Sequence, residues 1–280
     1  MVKIVQLTFF LLLSSFGIAQ NIETINIYGL FYKHQCKTTV AYQELKKHQT
    51  AYSIADQVIV RSDSSLNGNV LEKLALAEAV EVLDWTVSYQ YEVNGHGDRW
   101  VKVKTQKGIT GFVYGVLLAK VFLKYDFNKN GASDLILLGS DYQSSSNAVL
   151  KVVENGRLIA NMQVADVYVD ANSETFAMLR IIDDPGLQGS LILEAAAGSN
   201  FCATIWQSAF YYWQYDMKEI FNVLIRHYKS DSFDFIIFPS DHNGQKNQII
   251  IQECVLENIG TNEEFICRNK SIYSLVNGQF

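Results

Sequence analysis

From about residue 50 onward, short apolar runs alternate with clusters of Asn, Asp and Gly. The runs at 57–62 (QVIVRS), 79–85 (AVEVLDW), 99–105 (RWVKVKT), 111–118 (GFVYGVLL), 134–140 (DLILLGS), 148–156 (AVLKVVENG) and 190–198 (SLILEAAAG) are rich in Val, Ile, Tyr and Phe. Apolar runs of that length, bounded by turn formers, predict strands. Long helical periodicity is scarce, and the best helix candidate is 39–52, TVAYQELKKHQTAY. The pattern predicts a mainly β protein: a small barrel followed by a larger antiparallel β domain. Residues 204–228 are the most aromatic stretch. As a strand they put Phe210, Tyr212 and Gln214 on one face and Tyr211, Trp213 and Tyr215 on the other. Such a strand either offers an aromatic binding face or lies sandwiched between two covers.

Composition narrows the class. A hydrophobic content of 49% and a charged content of 19% suit a globular chain with a real core. The net charge of -6 and the lack of a Lys/Arg cluster argue against nucleic acid as a partner. Residues 1–20 combine an early lysine, an apolar run and a small-residue exit, which reads as a secretory signal peptide cut near Ala19 or Gln20. That run is too short to span a bilayer, and no other stretch suits a transmembrane helix. The expected location is therefore periplasmic or extracellular, where four cysteines, Cys36, Cys202, Cys254 and Cys267, suggest disulfides. A two-residue hairpin loop at Gly260-Thr261 would set Ile259 opposite Asn262 and Cys254 opposite Cys267. In a non-hydrogen-bonded pair the α-carbons approach to about 4.5 Å, within reach of a disulfide. Such a bond contributes roughly 3 kcal/mol in the chain-entropy picture. Cys36 and Cys202 then pair by elimination, or remain two free, buried thiols.

The expected division is 1–20 signal peptide, 21–50 a partly helical segment, 51–122 a barrel and 123–280 a β domain. Within 51–122 the order is Val58 with Val60-Arg61-Ser62, Val70-Leu71 and Leu74, Ala79 to Leu83, Trp100 to Val103, and Gly108 to Val113. This resembles the bacterial SH3 family in order and spacing. Ile59 stands where that family usually has asparagine, Phe112 where it has tryptophan, and TVSYQYEVNGHGD lengthens one hairpin. The resemblance implies a targeting module for peptidoglycan or for an envelope protein. Trp100 and Phe112 are either core packing or aromatics that meet such a ligand.

The run YDFNKNGASDLILLG, 125–139, sets Asp126, Asn128, Asn130 and Asp134 at offsets one, three, five and nine, with the Ala132 carbonyl at seven. Calcium takes six to eight oxygen ligands, so this spacing can wrap an ion. Gly131 permits the turn that returns Asp134. The loop is similar to those of the FG-GAP and VCBS repeat families, which are richer in aspartate. With only Asp126 and Asp134 charged, an affinity on the order of 10⁻⁴ to 10⁻³ M is expected. The alternative is a turn whose Asx side chains bond their own backbone. Ser240 to Gln248 lacks a final carboxylate and reads as a hairpin turn.

Catalytic patterns are weak. Cys202 lacks the Asp-Cys-Ser-Gly context of cell-wall cysteine peptidases, and His227 and His242 sit in strand and turn contexts. The cysteines and histidines show no paired zinc spacing. Asp183-Asp184 reads as a turn, Glu194 as a strand carboxylate or general acid, and His96 as a loop residue. The expected function is a secreted, non-enzymatic binding protein with structural calcium. A periplasmic inhibitor of a cell-wall hydrolase is the alternative.

Overall fold

The computed structural model describes residues 36–41, 46–86, 88, 90–93, 96–141, 148–165, 175–199, 204–227, 232–259 and 262–280. The expected signal peptide, 1–20, therefore lies outside the described residues. The protein is mainly β. In chain order the strands are β1 (Cys36–Ala41), β2 (Thr50–Tyr52), β3 (Val58–Arg61), β4 (Val70–Leu74) and β5 (Ala79–Trp85). Next come a small hairpin, β6 (Gln90–Val93) and β7 (His96–Asp98), and then β8 (Trp100–Thr105) and β9 (Thr110–Tyr114). A second group comprises β10 (Val121–Tyr125), β11 (Asp134–Ser140), β12 (Ala148–Glu154) and β13 (Arg157–Ala165). A third comprises β14 (Thr175–Ile182), β15 (Ile192–Ser199), β16 (Thr204–Trp213) and β17 (Met217–His227). The chain closes with β18 (Ser232–Ile237), β19 (Gln248–Ile259) and β20 (Asn262–Ser274).

The first unit is a six-stranded sheet in the order β2-β5-β8-β9-β3-β4. Ala51 of β2 and Leu74 of β4, from its two outer strands, join one core with Val60, Val82, Val103 and Val113. The sheet thus curls around its own interior as a barrel does. The inserted segment after β5 forms the β6–β7 hairpin. The chain changes unit between Tyr114 and Val121, because β10 pairs only into the second group.

The expected helix at 39–52 is corrected by the structure. Thr39 to Ala41 belong to β1, Lys47-His48 form a turn, and Thr50 to Tyr52 belong to β2, while 42–45 lie outside the described residues. The β-branched run Thr38-Thr39-Val40 suits a pleated surface, and β14 supplies an edge on which it pairs. The barrel is consequently inserted between β1 and β10 of the larger β assembly.

That assembly is layered. The five-stranded sheet β1-β14-β15-β16-β17 lies in the middle. Leu179, Leu193, Ala195 and Tyr211 on one face pack against Leu123, Ile136, Leu150 and Val152 of the four-stranded β10–β13 sheet. Ile182, Ile192, Phe210 and Phe221 on the other face pack against Ile236, Ile249 and Ile251 of the β18–β20 sheet and Leu275 just after it. The barrel covers the remaining face of β10–β13 through Tyr52, Ile54, Ala119, Leu137 and Val149. Lys151 of β12 ties the two together by donating to the Ile54 carbonyl at 2.9 Å. Burial holds the Lys151 ammonium below the usual lysine range, with Asp141 opposing. No helix among the described residues is long and apolar enough to cross a membrane.

Candidate functional site

The Asx-rich loop joins β10 to β11 at one end of the sandwich. Asp126 accepts from the Asn130 amide at 3.0 Å through Oδ1 and from the Gly131 amide at 3.0 Å through Oδ2. Asn128 Oδ1 accepts from the Asn130 amide at 3.1 Å, and Asn130 Oδ1 from the Ala132 amide at 2.8 Å. Asp134 is fully buried and takes the Phe127 amide at 3.0 Å. Gly131 has φ +90°, a left-handed conformation that glycine adopts without cost. The five expected residues are thus gathered into one loop.

Sequence reasoning missed Glu154, at the end of β12. Its Oε1 accepts from Asn128 Nδ2 at 2.9 Å and from Asn130 Nδ2 at 2.5 Å. These amides, Asn128 first, hold its carboxyl below the usual glutamate range. Burial chiefly raises Asp134, and the nearby Glu154 and Asp126 charges add to the rise. Lys129 Nζ donates to the Gly189 carbonyl and ties the loop to the turn after β14. Only the pairing of Leu135 with Val153 brings Glu154 beside the loop, and that register has no signature within the loop itself. Among the described residues, no group of three or more His, Cys, Asp or Glu side chains is arranged for a metal.

The aromatic candidates divide by burial. Trp100 is 1% exposed and packs on Tyr114 at 5.3 Å between centroids. It is packed in the interior, the first of the two expected alternatives. The β6–β7 hairpin helps to close this corner. Asp98 Oδ2 meets Lys120 Nζ at 2.5 Å, its amide donates to the Tyr114 hydroxyl at 2.8 Å, and Lys120 also donates to the Gly115 carbonyl at 3.1 Å. Phe112 is half-buried on the outside of the barrel, with Lys102 Nζ 5.9 Å from its ring centre.

The aromatic strand is covered on both sides, the sandwiched alternative, and Tyr211 lies inside. It is fully buried, and its hydroxyl donates to the Gln163 carbonyl at 3.1 Å. Burial, then Glu219, pushes its phenol well above the usual tyrosine range. Phe210 and Tyr212 fill the opposite face. Trp213 is partly buried against the first core, while Tyr215, in the β16–β17 turn, is 89% exposed. For Phe210 to Trp213 the alternation of faces is as the sequence predicts, and the second cover makes the face internal, while Gln214 and Tyr215 fall in the turn after β16.

The remaining candidates are structural. Glu194 is buried mid-strand and takes Arg180 Nε at 2.7 Å, so it braces the central sheet. Asp184 accepts from the Gly186 amide at 2.7 Å and the Ser240 amide at 3.1 Å, docking one turn on another. His242 is exposed in the turn before β19. In β19–β20, Ile259 faces Asn262 and Cys254 faces Cys267, the register that the hairpin spacing predicts. Cys267 is disulfide-bonded. Cys36 stands opposite Ile182 in β1, and Cys202 lies outside the described residues. Compared with known proteins, the chain matches no family model, no curated protein and no solved structure.

Proposed function

We propose that this chain is a secreted, non-enzymatic binding protein whose barrel is an SH3-like module that recognises cell-envelope material. The observation that carries the reading is the presentation of Phe112. The layered core absorbs Phe210 and Tyr211, and Trp100 is sealed with Tyr114 and Val116, whereas Phe112, at the edge of that cluster, stays half-open beneath Lys102 on the outer barrel face. An aromatic ring beside a cation suits a sugar ring or a carboxylate-bearing peptide. The β domain serves as a rigid mount, braced by a Cys254–Cys267 disulfide and by calcium in the loop. The donor chemistry fits calcium: Asp126, Asp134 and Glu154 carboxylates, Asn128 and Asn130 carboxamides and the Ala132 carbonyl are all hard oxygen ligands. Bound calcium would supply structural charge compensation only.

The test is co-sedimentation of the mature protein with purified peptidoglycan sacculi, in calcium and in chelator. The wild-type protein is expected to pellet with sacculi, and Phe112→Ala to stay in solution while still melting cooperatively at a modestly lower temperature. Melting is expected to be higher in calcium than in chelator, a shift that Asp126→Ala abolishes. Equal pelleting of wild type and Phe112→Ala would remove the barrel face from the function. A second reading, an inhibitor of a periplasmic cell-wall hydrolase, is supported by Tyr215, whose 89% exposure at a hairpin tip suits insertion into a cleft.

A further inference from the structure

The barrel ends in an open edge. In the order β2-β5-β8-β9-β3-β4, β4 has β3 on one side and no paired strand on the other among the described residues. Beside that edge stand three exposed apolar side chains, Leu66 at 44%, Val70 at 53% and Leu71 at 42%. Strands β3, β4, β8 and β9 carry four cations, Arg61, Lys73, Lys102 and Lys104. Their one carboxylate, Glu72, points inward and pairs with Lys107 at 2.7 Å. Lys102 and Lys104 face Asp84 and Glu81 across β5. Those two carboxylates are already held by Lys47 at 3.1 Å and His48 at 2.9 Å. Register makes the face continuous: Lys102 opposite Phe112, Phe112 opposite Arg61, and Ile59 opposite Lys73.

We propose that the β4 edge and this cationic face dock an extended, acidic segment of a partner polypeptide, which adds as a further strand. The proposal rests on the barrel being a recognition module and names the ligand chemistry. Edge-strand amides and carbonyls are completed by another strand's backbone. Val70 and Leu71 call for apolar side chains, which a polypeptide supplies and a glycan does not. A second copy of the chain would bring the same four cations against themselves, whereas acidic side chains neutralise them.

The probe is a short synthetic peptide alternating Glu or Asp with Val. It is compared with a Lys-for-acid version and with one interrupted by alternate prolines. Titration is followed by amide NMR shifts and by hydrogen exchange at Leu71 and Lys73. The acidic peptide is expected to shift and protect those amides. A Lys73→Glu/Lys104→Glu double variant, altered only at exposed positions, should bind it about tenfold more weakly. Leu71→Asp should weaken it as well, and neither control peptide should bind. Absence of shifts at millimolar acidic peptide, or equal binding of the proline-interrupted peptide, overturns strand addition. If sacculi still pellet the wild type under either result, the docking proposal fails and the barrel reading stands. If Phe112→Ala also pellets like wild type, both fail.

Discussion

The barrel and the central sheet are built from similar residues, yet they bury them differently. In β3 and β5 buried positions alternate with partly open ones, because water covers the outer face. In the central sheet, Ile192 to Gly198 of β15 are all buried in succession, because a second sheet covers each face. Aromatic density therefore says little about exposure until the number of covers is known. Phe112 and Tyr211 are both strand aromatics. One is half-open and the other sealed, because the outer barrel face is covered only towards the buried Trp100–Tyr114–Val116 cluster, whereas the central sheet is covered on both faces.

Truncation separates these cases most sharply. Tyr211→Ala should cost about 3–5 kcal/mol for the emptied volume, and about 1 kcal/mol more for its hydroxyl bond. Phe112→Ala should cost about 1–2 kcal/mol, because its ring is only partly buried against Trp100, Tyr114 and Val116. Urea denaturation monitored by circular dichroism measures both. Comparable losses would mean that the two sheets do not differ in cover.

A buried ion pair gives the next contrast. Lys120 and Asp98 have side chains 2% and 1% exposed, respectively, and they join the β6–β7 hairpin to the start of β10. Asp98→Ala leaves the Lys120 ammonium buried without its carboxylate and should cost about 3 kcal/mol. Combining Asp98→Leu with Lys120→Met should recover most of that loss, because two apolar groups need no mutual compensation. Denaturation midpoints of the single and double variants decide it. A double variant as unstable as the single would locate the cost in the hydrogen bond that the Arg99 amide donates to Asp98 Oδ1, and not in the charge.

The same contrast explains which parts of the fold were legible. One-sided strands such as β3, β5 and β8 announce themselves by alternation. The β19–β20 register follows from counting outward from a two-residue loop. The loop at 126–134 was legible because its Asx residues and Gly131 are local. Three features were not. β1 pairs with β14, with Thr39 opposite Arg180, 141 residues further on, and no local pattern encodes that partner. Glu154 reaches the loop only through sheet register. The second cover over Tyr211 belongs to β10–β13, on the far side of the chain's topology.

The smallest effect separates an open ion pair from a sealed one. Glu72 lies inside the barrel wall, while Lys107 is 70% exposed. The Lys107 hydrogen bond holds the Glu72 carboxyl below the usual glutamate range, against the opposing effect of burial. Glu72 in turn raises the Lys107 ammonium. A carboxyl with a depressed folded value contributes stability that is present above the unfolded value of 4.5 and lost as pH falls through the folded one. A raised ammonium contributes stability that is present below 10.5 and lost as pH rises through its folded value. The melting-temperature difference between wild type and Lys107→Met should therefore be flat between about pH 5 and 10 and narrow outside that window. Salt should shrink it, because Lys107 is open to solvent. The corresponding loss on Arg180→Met, whose partner Glu194 is sealed in the central sheet, should resist salt. Equal salt dependence at the two sites would show that the barrel pair is screened no more than the buried one, and the distinction between one cover and two would lose its electrostatic side.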